Sequence, residues 1–151
     1  MYSKDELKNL KLEFWESFAA FCEVQPYLRN RKKIWMLYDT KVKGVELKFD
    51  ANRKGAYVIL EVNHRREDLR LEMFEKLTWY KEILERDFPD GLIWDICFTR
   101  ETGKEVARIY TQKEGIDLHR RQDWGAFFTF MATQMYLLER NFMDIAEYLR
   151  E

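Results

Sequence analysis

The sequence is short of the residues that usually announce a site. It has two cysteines, Cys22 and Cys97, in apolar contexts and without the CxxC or Cys/His spacing of a metal centre. Both read as reduced, buried, small hydrophobes. Its two histidines, His64 and His119, are not spaced as a ligand pair, nor set with a serine or cysteine nucleophile. There is no phosphate-binding glycine-rich loop and no nucleophile elbow. Two prolines and six glycines, nearly all at junctions between apolar stretches, leave no room for a flexible interdomain linker. No apolar run approaches the ~18 residues of a membrane span, so no membrane partner is expected. The charged start, Met1–Glu6, lacks the apolar segment of a secretory signal, and the cytoplasm is the expected location. A net charge of −1 supplies no global field toward nucleic acid or an anionic surface, so any such binding must come from a local patch.

What is present is a rich core under a charged surface: 46% hydrophobic, 16% aromatic and 35% charged residues. A chain of 151 residues suits a single domain, 1–151. A domain of that size buries roughly 70% of its unfolded surface, so no disulfide, metal or other cofactor is required for folding.

Ser3-Lys4-Asp5-Glu6 is a capping box. The helix behind it sets Leu7, Leu10, Phe14, Phe18, Phe21 and Cys22 on one face, with Trp15 beside them, and ends near Pro26. Ile34–Tyr38 reads as a first strand. Val45–Asp50 alternates apolar and polar without a break, the mark of a half-buried strand, and Asn52-Arg53-Lys54-Gly55 turns into a third strand, Ala56–Asn63. A helix is predicted over 65–88, with Leu69, Met73, Leu77, Tyr80 and Leu84 as its buried stripe. Strands over 92–98 and 105–110 and a long helix over 123–149 follow. The expected fold is α+β: a mainly antiparallel five-stranded sheet with three helices, in the order α-βββ-α-ββ-α.

Register brings chemistry together. Facing apolar to apolar pairs Phe49 with Val58, Leu47 with Leu60 and Val45 with Val62. Glu46 then lies opposite Glu61, Lys48 one step along, and Asn63 opposite Gly44. Opposed carboxylates repel and one pKa rises unless a cation sits between them. Three readings follow: a solvated face where Lys48 pairs with both acids, a magnesium or manganese site on Glu46 and Glu61, or a nucleic-acid surface. His64-Arg65-Arg66 opens the next helix at the same end of the sheet, where a phosphate could be held, although Glu67 and Asp68 follow directly. Arg29–Lys33 belongs at the opposite end. Trp35, Trp79, Trp94, Tyr57 and Tyr80 read as core rather than as stacking platforms. Trp124, Phe128, Met131, Met135, Leu138, Phe142, Ile145 and Leu149 step by four and three, a heptad seam. Either the first helix of the same chain fills that seam or a second copy does, making a homodimer.

Two carboxylates and a lysine on neighbouring strands, in a helix-strand-strand-strand-helix-strand order, resemble the PD-(D/E)XK nuclease core over about Lys4 to Phe98. The matching positions are Glu46 and Glu61-Val62-Asn63, with Asn63 where that family has lysine and no Pro-Asp pair ahead of the acid. The catalytic candidates that the resemblance implies are Glu46, Glu61, Lys48 and Asn63, in a motif that is not intact. The whole chain also resembles the bacterial family known as domain of unknown function 4268. That resemblance rests on Phe14–Phe18, Gly44–Phe49, Val58–Val62, Met73–Leu77 and Asp123-Trp124. It implies this architecture and a DNA-related, restriction or defence context, with no established activity. The expected function is therefore a binding or accessory module rather than an enzyme. The alternatives are a structural homodimer and a metal-dependent nuclease.

Overall fold

The computed structural model describes residues 2–150. Its elements are α1 (Lys4–Glu23), β1 (Val45–Ala51), β2 (Gly55–Val62), α2 (Glu67–Trp79), α3 (Lys81–Glu85), β3 (Ile93–Thr99), β4 (Glu105–Glu114), α4 (Trp124–Met143) and α5 (Ala146–Leu149), with 3₁₀ turns at Pro26–Leu28 and Arg121–Asp123. The fold is α+β, but with a four-stranded antiparallel sheet in the order β1-β2-β4-β3 and five helices, not five strands and three helices.

The missing strand is Ile34–Tyr38. Its apolar run suits a strand, but its backbone groups are spent elsewhere. The Met36 amide donates to the Glu139 carboxylate on α4 (2.9 Å), and the Asp39 amide closes a turn onto the Met36 carbonyl (2.7 Å). Leu37 sits at φ 39°, outside the extended range. Only its carbonyl reaches the sheet edge, accepting from the Leu47 amide of β1 at 3.0 Å.

The two long predicted helices each break once. At Tyr80 (φ −110°, ψ 21°) the chain leaves helical geometry between α2 and α3, and the Tyr80 ring stacks on Tyr148. Between α4 and α5, the Ile145 amide tightens onto the Phe142 carbonyl three residues back.

The capping box at Ser3 and Glu6 is formed. Leu10, Phe14, Phe18 and Cys22 of α1 are buried as their spacing requires. Phe14 meets Trp124, Phe127 and Phe128 of α4 with ring centroids 5.2–5.3 Å apart. Every residue of the heptad seam, Trp124 through Leu149, is buried in this chain's own core, so α1 and the sheet fill the seam from within. In α2 and α3, Met73, Leu77 and Leu84 are buried, but Leu69 is 37% exposed and lies on a surface cleft instead.

The inward sheet face carries Val45, Leu47, Val58, Leu60, Val62, Ala107 and Ile109 into this core. The opposite face carries Glu46, Lys48, Tyr57, Ile59, Glu61, Arg108 and Tyr110, at register positions one residue away. β3 pairs with β4 through a bulge between Asp95 and Phe98.

Candidate functional site

The β1–β2 register is the one that apolar matching predicts: Val45 faces Val62, Leu47 faces Leu60, Phe49 faces Val58, and Glu46 faces Glu61. The Asn63 amide donates to the Gly44 carbonyl at 2.8 Å. Glu61 is 1% exposed and is held from three sides. Lys48 Nζ lies 3.0 Å from its Oε1 and 3.5 Å from Glu46 Oε2, bridging the two acids. Arg100, in the turn after β3, makes a close ion pair with the same carboxylate, and Asn63 Nδ2 donates to Oε1 at 3.3 Å. Burial pushes the Glu61 carboxyl upward, but hydrogen bonds and charge from Arg100 and Lys48 outweigh it, and the net direction is down.

This cluster is a balanced ionic lattice. Glu61 stays ionised, but its Oε1 is committed to two cations and an amide, which leaves that oxygen poorly placed to take a proton from water. The ammonium of Lys48 stands between Glu46 and Glu61, as in the reading in which it pairs with both acids rather than the one that sets a metal there. Among the described residues, no group of three or more His, Cys, Asp or Glu side chains is placed to hold a metal ion. Asn63, at the position of the nuclease lysine, serves as a hydrogen-bond donor to Glu61. Among the described residues, no strand stands ahead of the β1–β2 hairpin, where the nuclease-like order requires one.

His64, Arg65 and Arg66 lie at the entry to α2. The His64 ring covers Gly44, where a Cβ would stand 2.3 Å from Nε2; Gly44 has φ 80°. Arg66 is the N-cap residue without a side-chain cap, and its guanidinium pairs with Asp68 at 2.7 Å. Arg65 is exposed. Two clefts flank this entry. One, of about 200 Å³, is lined by Lys43, His64, Lys76 and Arg150, with Glu72 as its carboxylate. The other, of about 490 Å³, is lined by Arg65, Arg70 and Lys104, with Glu67 and Glu105. Arg70 is 6% exposed, donates to the His64 carbonyl at 3.2 Å and lies 3.7 Å from Glu105. Arg150 Nε donates to the Lys41 carbonyl, anchoring its side chain beside the first cleft.

The other basic runs, Arg29–Lys33 and His119–Arg121, are engaged in part by the fold. Arg31 pairs with buried Glu139 at 2.6 Å, and Lys33 pairs with Asp39 at 2.8 Å. Arg121 pairs with Glu13 and covers the Trp124 ring. By contrast, Lys43, Arg65 and Lys104 have no acidic partner within ion-pair distance among the described residues. They come from three separate loops; the His64–Arg66 run marks Arg65, and no run marks Lys43 or Lys104. Nor does any run mark Arg100 or Glu139. Trp79, expected in the core, is 66% exposed.

Fold and site together define a small α+β domain with a salt-bridged sheet cluster and a cationic rim. The sequence profile of the family "Domain of unknown function (DUF4268)" matches residues 10–146, and the chain belongs to that family. No curated protein and no solved structure matches it. Among the described residues, no helix is long and apolar enough to cross a membrane.

Proposed function

We propose that the chain is a non-catalytic nucleic-acid-binding module that takes a phosphate backbone along the two clefts flanking the entry to α2. One observation carries this reading. Lys43, Arg65 and Lys104 converge from separate loops on adjoining clefts, and their charge is unspent, whereas Arg31 and Lys33 of the Arg29–Lys33 run and Arg121 of the His119–Arg121 run are engaged by the fold. Lysine and arginine without acidic partners are what phosphate contacts use, and such contacts need no base readout. The locked state of Glu61 supports binding without hydrolysis.

Fluorescence anisotropy with labelled DNA and RNA tests the proposal. Binding should weaken steeply with salt, and each of Lys43→Ala, Arg65→Ala and Lys104→Ala should reduce the salt slope by about 1. Absence of salt-dependent binding to any strand at low ionic strength would overturn it.

A further inference from the structure

The cleft beside Arg150 does not end at its cations. Leu69, Glu72, Met73 and Lys76 of α2 line it at the three- and four-residue spacing of one helix face. The next positions on that face are Trp79 and Tyr80. The opposite wall belongs to the end of the chain, where Leu149 and Arg150 line the cleft and Tyr148 precedes them. The rings of Tyr80 and Tyr148 stack with centroids 6.1 Å apart and planes 20° from parallel, joining α2 to α5 at that end. Tyr148 is 52% exposed and Trp79 66% exposed. A surface track thus leads from Lys43, His64 and Arg150 to open aromatic rings. Isolated exposed aromatics need no explanation. Aromatic rings that continue a cationic cleft have the composition of a single-strand site, in which charge follows the backbone and rings accept bases. In a duplex the bases are stacked on one another and offer no free face to these rings.

Resting on the nucleic-acid reading above, we infer that the ligand class of this track is single-stranded DNA or RNA, with Trp79 and the Tyr80–Tyr148 stack as base platforms. The test titrates the full chain with an oligo-dT strand, an oligo-U strand of equal length and a blunt hairpin duplex, following anisotropy and tryptophan fluorescence. Either single strand should bind about tenfold more tightly than the duplex at equal salt and quench tryptophan emission. Oligo-dT and oligo-U differ in the 2′-hydroxyl and in the 5-methyl group of the base, and a preference between them tells which of the two strands the track favours. Trp79→Ala and Tyr148→Ala should each weaken single-strand binding by about tenfold and leave duplex binding unchanged. Trp79→Phe and Tyr148→Phe, which keep a ring, should retain most of it and serve where an alanine variant melts early. Equal affinity for strand and duplex, or aromatic variants that bind single strands as the wild type does, would overturn this inference. The cationic reading would still stand if Lys43→Ala and Arg65→Ala weakened binding. No binding to any of the three ligands would overturn both.

Discussion

Glu61 and Glu139 are both buried carboxylates, 1% and 3% exposed, and both are held by cations, yet they hold different things. Glu61 stitches a sheet. Its cations, Lys48 and Arg100, have side chains 32% and 29% exposed, so water shares their charge, and Lys48 has Glu46 as a second partner. Glu139 fastens a segment of chain. It takes Arg31 on one oxygen and the Met36 amide on the other, and the Arg31 guanidinium lies over the rings of Trp35 (5.6 Å) and Tyr136 (5.4 Å). Removing Glu61 leaves cations that can turn to solvent or to another acid. Removing Glu139 leaves the Arg31 guanidinium, whose side chain is 25% exposed, between two rings with the Ile34 carbonyl as its remaining partner, and a backbone amide without its acceptor. The cost of losing a buried charge depends on how far its partners can escape.

The largest expected effect is at Glu139. Glu139→Ala should lower unfolding free energy by about 3–5 kcal/mol, the cost of breaking a buried pair from one side, as read by urea denaturation. Cys22 sharpens the result. Its thiol, pushed up to about 11 by burial and hydrogen-bonded by Trp35, should resist alkylation at mildly basic pH while exposed Cys97 reacts. In Glu139→Ala the segment over Cys22 loosens, and its alkylation should accelerate. A loss no greater than that of a surface pair, with Cys22 still protected, would break the distinction.

Glu61→Gln should cost less, about 1–3 kcal/mol, because the amide keeps the shape and part of the hydrogen bonding. Its pH dependence has a definite sign. The folded carboxyl titrates below its unfolded value, so its stabilisation is present above the unfolded pKa and lost as pH falls through the lowered folded pKa. The gap between wild type and Glu61→Gln should therefore be full near neutrality and close in acid. A gap that is constant across that range would mean that the charge of Glu61 is not what matters. The smallest effect is at Glu46, whose side chain is 34% exposed. Glu46→Gln should change stability by about 0–1 kcal/mol, less at high salt, because Lys48 retains Glu61. A loss matching that of Glu61→Gln would make the two acids one coupled unit.

The same contrast explains what could be read from the sequence. The Glu46–Glu61–Lys48 group was legible because it lies within one hairpin, where alternation fixes register and register fixes neighbours. Its second cation, Arg100, is 39 residues from Glu61 and sits in a turn that alternation does not reach. The Arg31–Glu139 pair spans 108 residues, and Glu139 rides beside a heptad stripe where it reads as an ordinary flanking charge. That hidden contact also explains the strand that did not form, since an apolar pentapeptide looks extended until its amide is known to be taken by a carboxylate. The unspent cations escaped notice for the converse reason. Runs of charge stand out in a sequence, but the Arg29–Lys33 and His119–Arg121 runs are in part spent on the fold, while Lys43 and Lys104 stand outside any run.

The bulge in β3 bears on how the sheet resists the addition of a further strand. β3 is an edge of the sheet, with Ile96 51% exposed and Cys97 open to solvent, the kind of border onto which a stray strand adds to begin a fibre. At that point the Cys97 amide is already donated to Asp95 Oδ1 at 3.1 Å, and the ladder with β4 is interrupted. An incoming strand finds a kinked template with one of its donors withdrawn. At the other border, the Leu37 carbonyl occupies the Leu47 amide of β1. Both margins of the sheet are thus blunted against edge-to-edge growth.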